Sequence, residues 1–261
     1  MTDSRIAYES AGGRATVTFR QPERMNPLDW ATVKELRQAV ATADADPALR
    51  AVVITGSGRA FSAGGDLEGY LTLYRDPDRF RGFLEDFFQL LDAIERSRLV
   101  YVAAINGFCV AGGLELMLAC DLAIAAREAK IGDGHLNFGQ LPGAGGSQRL
   151  PRAIGVQRAK HLMLTGRLID GLEAERIGLV AEAVPLADLV THVDALVAGL
   201  MERSRAGVAG MKHLVNEGMR GAVGEGLRME VDFVHRYATT HPDATEGLVA
   251  FQEKRRPRFG A

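Results

Sequence analysis

Hydrophobic positions along the chain change their period several times, and each change marks an element. Residues 6–9 and 15–20 alternate apolar with polar, the pattern of a half-buried strand pair, and Gly12-Gly13 sits where a tight turn would join them. After a loop between Pro22 and Pro27, Asp29 stands as the N-cap of an amphipathic helix running to about Ala45, with Val33, Leu36 and Val40 on one face. The run Ala51-Val52-Val53-Ile54-Thr55 is β-branched without alternation and predicts a fully buried strand. A polar and aromatic loop is expected over 66–77. A helix follows over 79–96, its buried stripe formed by Phe83, Phe87, Leu90, Leu91 and Ile94. Residues 101–105 repeat the buried-strand pattern, then run through glycines into a helix over 112–120 and a strand over 121–126. From about Ile169 the pattern is mainly helical, with one last strand over 179–184 and helices continuing to Gln252. Buried strands alternating with helices predict an α/β fold, with glycines recurring at the strands' carboxyl ends, where such folds place ligands. The stretch from Ser204 onward carries no strand signal and is expected to pack on the α/β body or on another subunit.

Composition narrows the classes. At 261 residues, 47% of them hydrophobic and 25% charged, the chain can bury a large core. A formal net charge of -2 offers no basic field for nucleic acid. Only Lys254-Arg255-Arg256-Pro257-Arg258 is locally basic, a solvated end or a phosphate contact. Residues 99–126 have the length of a membrane span, but Asn106, Glu115 and Asp121 interrupt them and Gly107, Gly112 and Gly113 break their period. The opening MTDSRIAYES has no apolar signal core, so a cytoplasmic location without membrane association is expected. Cys109 and Cys120 lie in apolar surroundings with no disulfide or metal spacing.

Three segments carry candidate chemistry. In AFSAGGDL (60–67) the glycines let backbone N–H groups approach a ligand. A dinucleotide fingerprint starting at Gly56-Ser57-Gly58 lacks its third glycine, because Phe61 stands there. In AAINGFCVAGGLELMLACDLAIA (103–125), Gly112-Gly113 opens an apolar helix whose free N–H groups and dipole make an anion site. Glu115, three residues on, shares a face with Gly112. It is either a structural carboxylate paired with a buried arginine or an acid of raised pKa beside an oxyanion site, and the convergence of dipole and acid favours the second. In IGDGHLNFGQLPGAGGSQRLPRAIG (131–155), Asp133 and His135 precede a glycine run, as a locally satisfied turn or as one wall of an active site.

Taken in this order, AFSAGGDL, the Glu115 segment and LPGAGGSQRLPRAIG resemble the crotonase (enoyl-CoA hydratase/isomerase) superfamily, over nearly the whole chain. The resemblance implies an α/β spiral of ββα units over 1–203, holding an acyl-CoA site, and a helical trimerisation region over 204–261. It implies an oxyanion hole from the amides of Gly65 and Gly112. Coenzyme A would lie along Arg24 and Asn26, with Arg24 near its phosphates. Ala63, Asp66 and Leu67 would border its channel, and Phe251 and Lys254 would reach a phosphate across a subunit boundary. Hydratases of the family hold one water between two glutamates: Glu115 matches the first, and His135 occupies the position of the second. Histidine there can act as acid or base or hold the water, with Asp133 orienting it, or serve as a structural neighbour. The implied substrate is an acyl-CoA thioester. No metal, nucleotide or redox cofactor is implied, coenzyme A being part of the substrate, and the assembly would be a homotrimer or a dimer of trimers. Hydration of a 2-enoyl-CoA leads; double-bond isomerisation and hydrolytic cleavage of a β-dicarbonyl are the enzymatic alternatives. A non-catalytic coenzyme A scaffold is disfavoured by Glu115, and an RNA-binding relative by the balanced charge. His161, His192, His213, His235 and His241 carry no expected chemistry, and Tyr70 and Tyr74 either line the acyl pocket or pack their loop.

Overall fold

The computed structural model describes residues 4–260. The alternating segments form β1 (Ile6–Ala11) and β2 (Arg14–Phe19), antiparallel, with Ala11 opposite Arg14 across a two-residue turn. Gly12 (φ 58°) and Gly13 (φ 80°) both adopt the positive φ that such a turn needs. α1 (Trp30–Ala45) starts where expected, the Asp29 side chain accepting from the Thr32 amide, and buries Val33, Leu36 and Val40. The β-branched run is β3 (Ala51–Gly56), which pairs parallel to β2.

Beyond β3 the chain is more ordered than its pattern suggests. A three-residue strand, β4 (Ala60–Ser62), follows at once. The expected loop over 66–77 is mostly a short helix, α2 (Leu67–Leu73), before α3 (Pro77–Arg96). The reason lies in tertiary packing: Tyr70 and Tyr74 stack at 5.4 Å and lean on Phe83 and Phe80 of α3, contacts that a loop's polar composition does not advertise. α3 buries the five residues named from its periodicity. The unit then repeats as β5 (Val100–Ile105), β6 (Phe108–Val110) and α4 (Gly112–Ala119). It repeats again as β7 (Leu122–Ala126) and β8 (Lys130–Gly132), followed by α5 (Gly146–Ile154), α6 (Val156–Thr165) and α7 (Gly171–Arg176). β9 (Glu182–Val184) is shorter than expected, because Leu179 and Val180 enter the core from a turn.

The long strands and the three-residue β9 form one sheet, in the order β1-β2-β3-β5-β7-β9, and the other short strands form a second, β4-β6-β8, parallel throughout. The chain therefore winds as a spiral of ββα units. The short strands escape sequence reading because three residues are too few to show a period. α8 (Leu189–Met201) covers the outer face of the long sheet with Leu189, Val193 and Val197 against Val53, Val102 and Ile124. The remaining helices are α9 (Arg205–Gly218), α10 (Val223–Thr240) and α11 (Pro242–Gln252). α9 docks on the body through Lys212, whose buried ammonium donates to Asp121 Oδ2 (2.8 Å) and to the carbonyls of Ile94 (2.8 Å) and Leu99 (2.7 Å). α10 buries nothing within the chain and leaves Val223, Leu227, Val231 and Val234 exposed. Among the described residues no helix is long and apolar enough to cross a membrane.

Candidate active site

The spiral brings the carboxyl end of β4 against the amino end of α4. Gly64 (φ 97°) is the contact point: a Cβ there would lie 2.8 Å from the Ala111 Cβ and 3.2 Å from the Gly112 nitrogen. Ala111, which caps α4, itself adopts a positive φ of 52°, a strained conformation of the kind that collects at functional sites. The segment 25–28 is tied to the same turn by the Ala63 amide on Met25 O (3.0 Å) and the Leu28 amide on Gly64 O (2.8 Å). Both Gly65 and Gly112 line a cavity of about 940 Å³, and neither amide has an acceptor among the described residues. Two free donors, one at a helix N-terminus, make this wall attractive to a developing negative charge.

Glu115 lies in the first turn of α4, 2% exposed. Its Oε1 accepts from the amides of Ala144 and Gly146, both at 2.8 Å, so the carboxylate sits on the N-terminus of α5. This is what the glycine run is for. A Cβ on Gly146 would approach Glu115 Cγ and Oε1 to 3.2 Å, so a glycine keeps the clamp close. The alternative of a structural carboxylate paired with a buried arginine does not hold among the described residues: nearby Arg149 pairs with Glu95 at 2.6 Å. Burial pushes the Glu115 carboxyl above its ordinary value, against the opposing pull of the Gly146 amide, the facing His135 and the Ala144 amide.

Glu115 Oε2 faces His135 Nε2 at 3.8 Å. The other ring nitrogen, Nδ1, is 3.1 Å from Asp133 Oδ2, and Asp133 is 1% exposed. The loop turns back as the Asp133-Gly134-His135 spacing requires, because Gly134 takes a positive φ (65°) and opens a 3-10 turn over His135–Phe138. Asn137 pins that turn to the end of α6 by donating to Gly166 O (2.8 Å). Asp133, His135 and Glu115 thus form a chain of contacts, and Glu115 and His135 line the same cavity as Gly65 and Gly112.

The other expected contacts divide. Arg24, Ala63, Asp66 and Leu67 line the same cavity, and Arg24 pairs with Asp66 at 2.9 Å. Asn26 does not face it: the side chain is buried, accepting from the Gln21 amide and donating to Ser57 O and Ala60 O, so it shapes the loop. Phe251 is 83% exposed, and neither it nor Lys254 lines the cavity of a single chain. Sequence reading missed the Ala144 and Gly146 amides as partners of Glu115, although the run Gly143-Ala144-Gly145-Gly146 was their signal.

Comparison with known proteins bears on what this wall of donors and acids belongs to. The family model for enoyl-CoA hydratase/isomerase matches residues 9–261. The chain belongs to the enoyl-CoA hydratase/isomerase family. Among curated members, it is 38% identical over 260 residues to a probable enoyl-CoA hydratase of Mycobacterium bovis, covering 99% of each chain. It is 36% identical over 262 residues to a crotonyl-CoA hydratase of Syntrophomonas wolfei, again covering 99% of each. Among solved structures, an enoyl-CoA hydratase from Bacillus anthracis superposes with a TM-score of 0.91 at 33% identity, covering 98% of each chain.

Proposed function

We propose that this enzyme hydrates a 2-enoyl-CoA, with His135 in the role that a second glutamate would otherwise play. The observation that carries the reading is the placement of Glu115 Oε2 and His135 Nε2 at 3.8 Å in the cavity that the two unpaired amides also line. That separation is too long for a direct hydrogen bond. It suits a water placed off the line between them at roughly 2.8 Å from each. The thioester oxygen docks on the Gly65 and Gly112 amides, each worth roughly 3–4 kcal/mol to a developing enolate in comparable sites.

The chemistry follows from the two environments. Asp133 holds the proton of His135 on Nδ1 and leaves Nε2 free to take one from water. As the hydroxyl bonds to C3, the C2–C3 double bond shifts its electrons to the thioester oxygen. Collapse of the enolate takes a proton onto C2 from Glu115, whose burial favours the protonated acid. The proton left on Nε2 then passes to Glu115 Oε2 through the next water, restoring both groups.

In this reading the coenzyme A nucleotide lies by Arg24, Ala63, Asp66 and Leu67 at the cavity mouth, and the protein assembles as a homotrimer or dimer of trimers. The apolar stripe of α10, uncovered within one chain, supports that assembly, and a neighbouring copy would bring Phe251 and Lys254 to the site. The test is turnover of a short and of a branched or cyclic 2-enoyl-CoA by the wild type, Glu115→Gln and His135→Ala. Hydration by the wild type, lowered at least 100-fold in both variants, is the expected result. Intact acyl-CoA binding without hydration of any enoyl-CoA overturns the reading, and isomerised or cleaved β-keto products would then name the reaction.

A further inference from the structure

Tyr70 is a polar group that the scheme above leaves unused. It projects from α2 into the cavity that holds Gly65, Gly112 and Glu115. Its ring is fixed on two sides, stacked on Tyr74 with 12° between planes and tilted against Phe83 at 5.9 Å. The hydroxyl end lies directly over Gly65: a Cβ built there would be 2.1 Å from Tyr70 Oη and 2.4 Å from Cζ. Any side chain at position 65 would therefore displace the phenol. The lack of one lets a backbone amide and a hydroxyl share the same corner.

The two tyrosines of α2 differ in what they bond. Tyr74 Oη pairs with Gln140 Oε1 at 2.5 Å, across the rim. Tyr70 Oη has no hydrogen-bond partner among the described residues, although its ring is half-buried. A hydroxyl without an internal partner, aimed into a ligand cavity beside two free amides, is a donor awaiting an acceptor. Burial, then Tyr74, Glu115 and Asp66, push the phenol up from its ordinary value, so it keeps its proton at neutral pH.

We propose that Tyr70 Oη is a third hydrogen-bond donor to the thioester oxygen, acting together with the amides of Gly65 and Gly112. The proposal rests on the thioester placement argued under the proposed function. Amide donors are fixed in direction, whereas a hydroxyl rotates about its C–O bond and follows the oxygen as it gains charge. The proton stays on Tyr70 throughout; only the hydrogen bond strengthens as the enolate forms. That makes Tyr70 a catalytic residue by contact with the reacting thioester, beyond its place in the aromatic stack.

The test uses butyryl-CoA carrying carbon-13 at the thioester carbonyl, bound to the wild type and to Tyr70→Phe. Difference infrared spectra read the carbonyl stretch without any turnover. The wild type is expected to lower the stretch relative to free ligand, and Tyr70→Phe to return part of that shift. With an enoyl-CoA, kcat should fall about 100-fold while KM changes less than about threefold, as for loss of one oxyanion donor. Should Tyr70→Phe fold poorly, a fluorotyrosine placed at position 70 is the second probe, and its more acidic hydroxyl should lower the stretch further. An identical stretch in wild type and variant, or an effect on KM alone, overturns the donor role and leaves Tyr70 as packing. A wild-type enzyme that shifts the stretch yet hydrates nothing sinks the hydration reading and leaves Tyr70 standing. Hydration with an unmoved stretch does the reverse.

Discussion

Helix α4 carries the buried Glu115 in its first turn and is followed by the partly buried Asp121, and the two carboxyls are handled in opposite ways. At its C-terminal end Asp121 is matched by a full charge, the Lys212 ammonium at 2.8 Å, and also accepts from the Tyr101 amide at 2.7 Å. At its N-terminal end Glu115 meets no lysine or arginine among the described residues; it receives two backbone N–H groups on one oxygen and a histidine facing the other. Burial raises both carboxyls and each set of partners pulls back. A cation on both lone-pair sets would lock Glu115 as a carboxylate and end its use as an acid. Dipoles and a neutral-capable imidazole leave it able to give and take a proton. One end of the helix is therefore a structural pin that holds α9 to the body, and the other is a group kept ready for chemistry.

Swapping the two ends' fates is the strongest test of this contrast. Glu115→Gln should lower enoyl-CoA turnover about 1,000-fold with little loss in thermal stability, since the amide oxygen can still accept from Ala144 and Gly146. Lys212→Met should do the opposite. Leaving the partly buried Asp121 without its cation should cost about 3 kcal/mol in a denaturant melt, while the folded fraction keeps its turnover. If Lys212→Met abolished activity in protein shown to be folded, the division between pin and acid would be wrong.

A gentler variant probes the clamp itself. Gly146→Ala keeps the helix but places a methyl 3.2 Å from Glu115 Oε1 and 3.1 Å from Pro142 Cβ. Turnover should drop about tenfold with KM little changed, as a displaced acid predicts. Unaltered kcat would mean the loop yields without moving the carboxyl.

The smallest effect concerns pH. A carboxyl raised on folding contributes stability that is fully present below its unfolded value, near 4.5, and is lost as pH rises through the higher folded value. Glu115→Gln removes that loss. The variant should therefore melt at or above the wild type at pH 8, by a few degrees, with the advantage shrinking as pH falls toward 4.5. A variant less stable than the wild type at pH 8 would show that the Ala144 and Gly146 amides outweigh burial.

How much was legible beforehand depends on range along the chain. The α3 stripe, the Asp29 cap and the long strands follow from periods and caps within one or two turns, and they are found where the pattern places them. The helix over 67–73 and the strands β4, β6 and β8 follow no local period, because aromatic stacking on α3 and pairing with strands over 20 residues away stabilise them. Asn26 illustrates the same limit at the site. Its residue type suits ligand binding, yet three backbone groups, 5 to 34 residues away, claim its side chain.

From the sequence alone came the α/β class, the family resemblance, the glycine pairs and the acid three residues beyond one of them. Local chemistry also supplied the Asp133–His135 pairing, since two residues separated by one glycine can meet across a single turn. The resemblance set His135 against Glu115; only the folded chain decided that residues 29 and 31 positions onward would clamp that acid, and that Tyr70 would lie on Gly65. The physical reason is that a period reports which face of an element is buried. What it is buried against is set when the spiral closes and brings distant turns within hydrogen-bond distance.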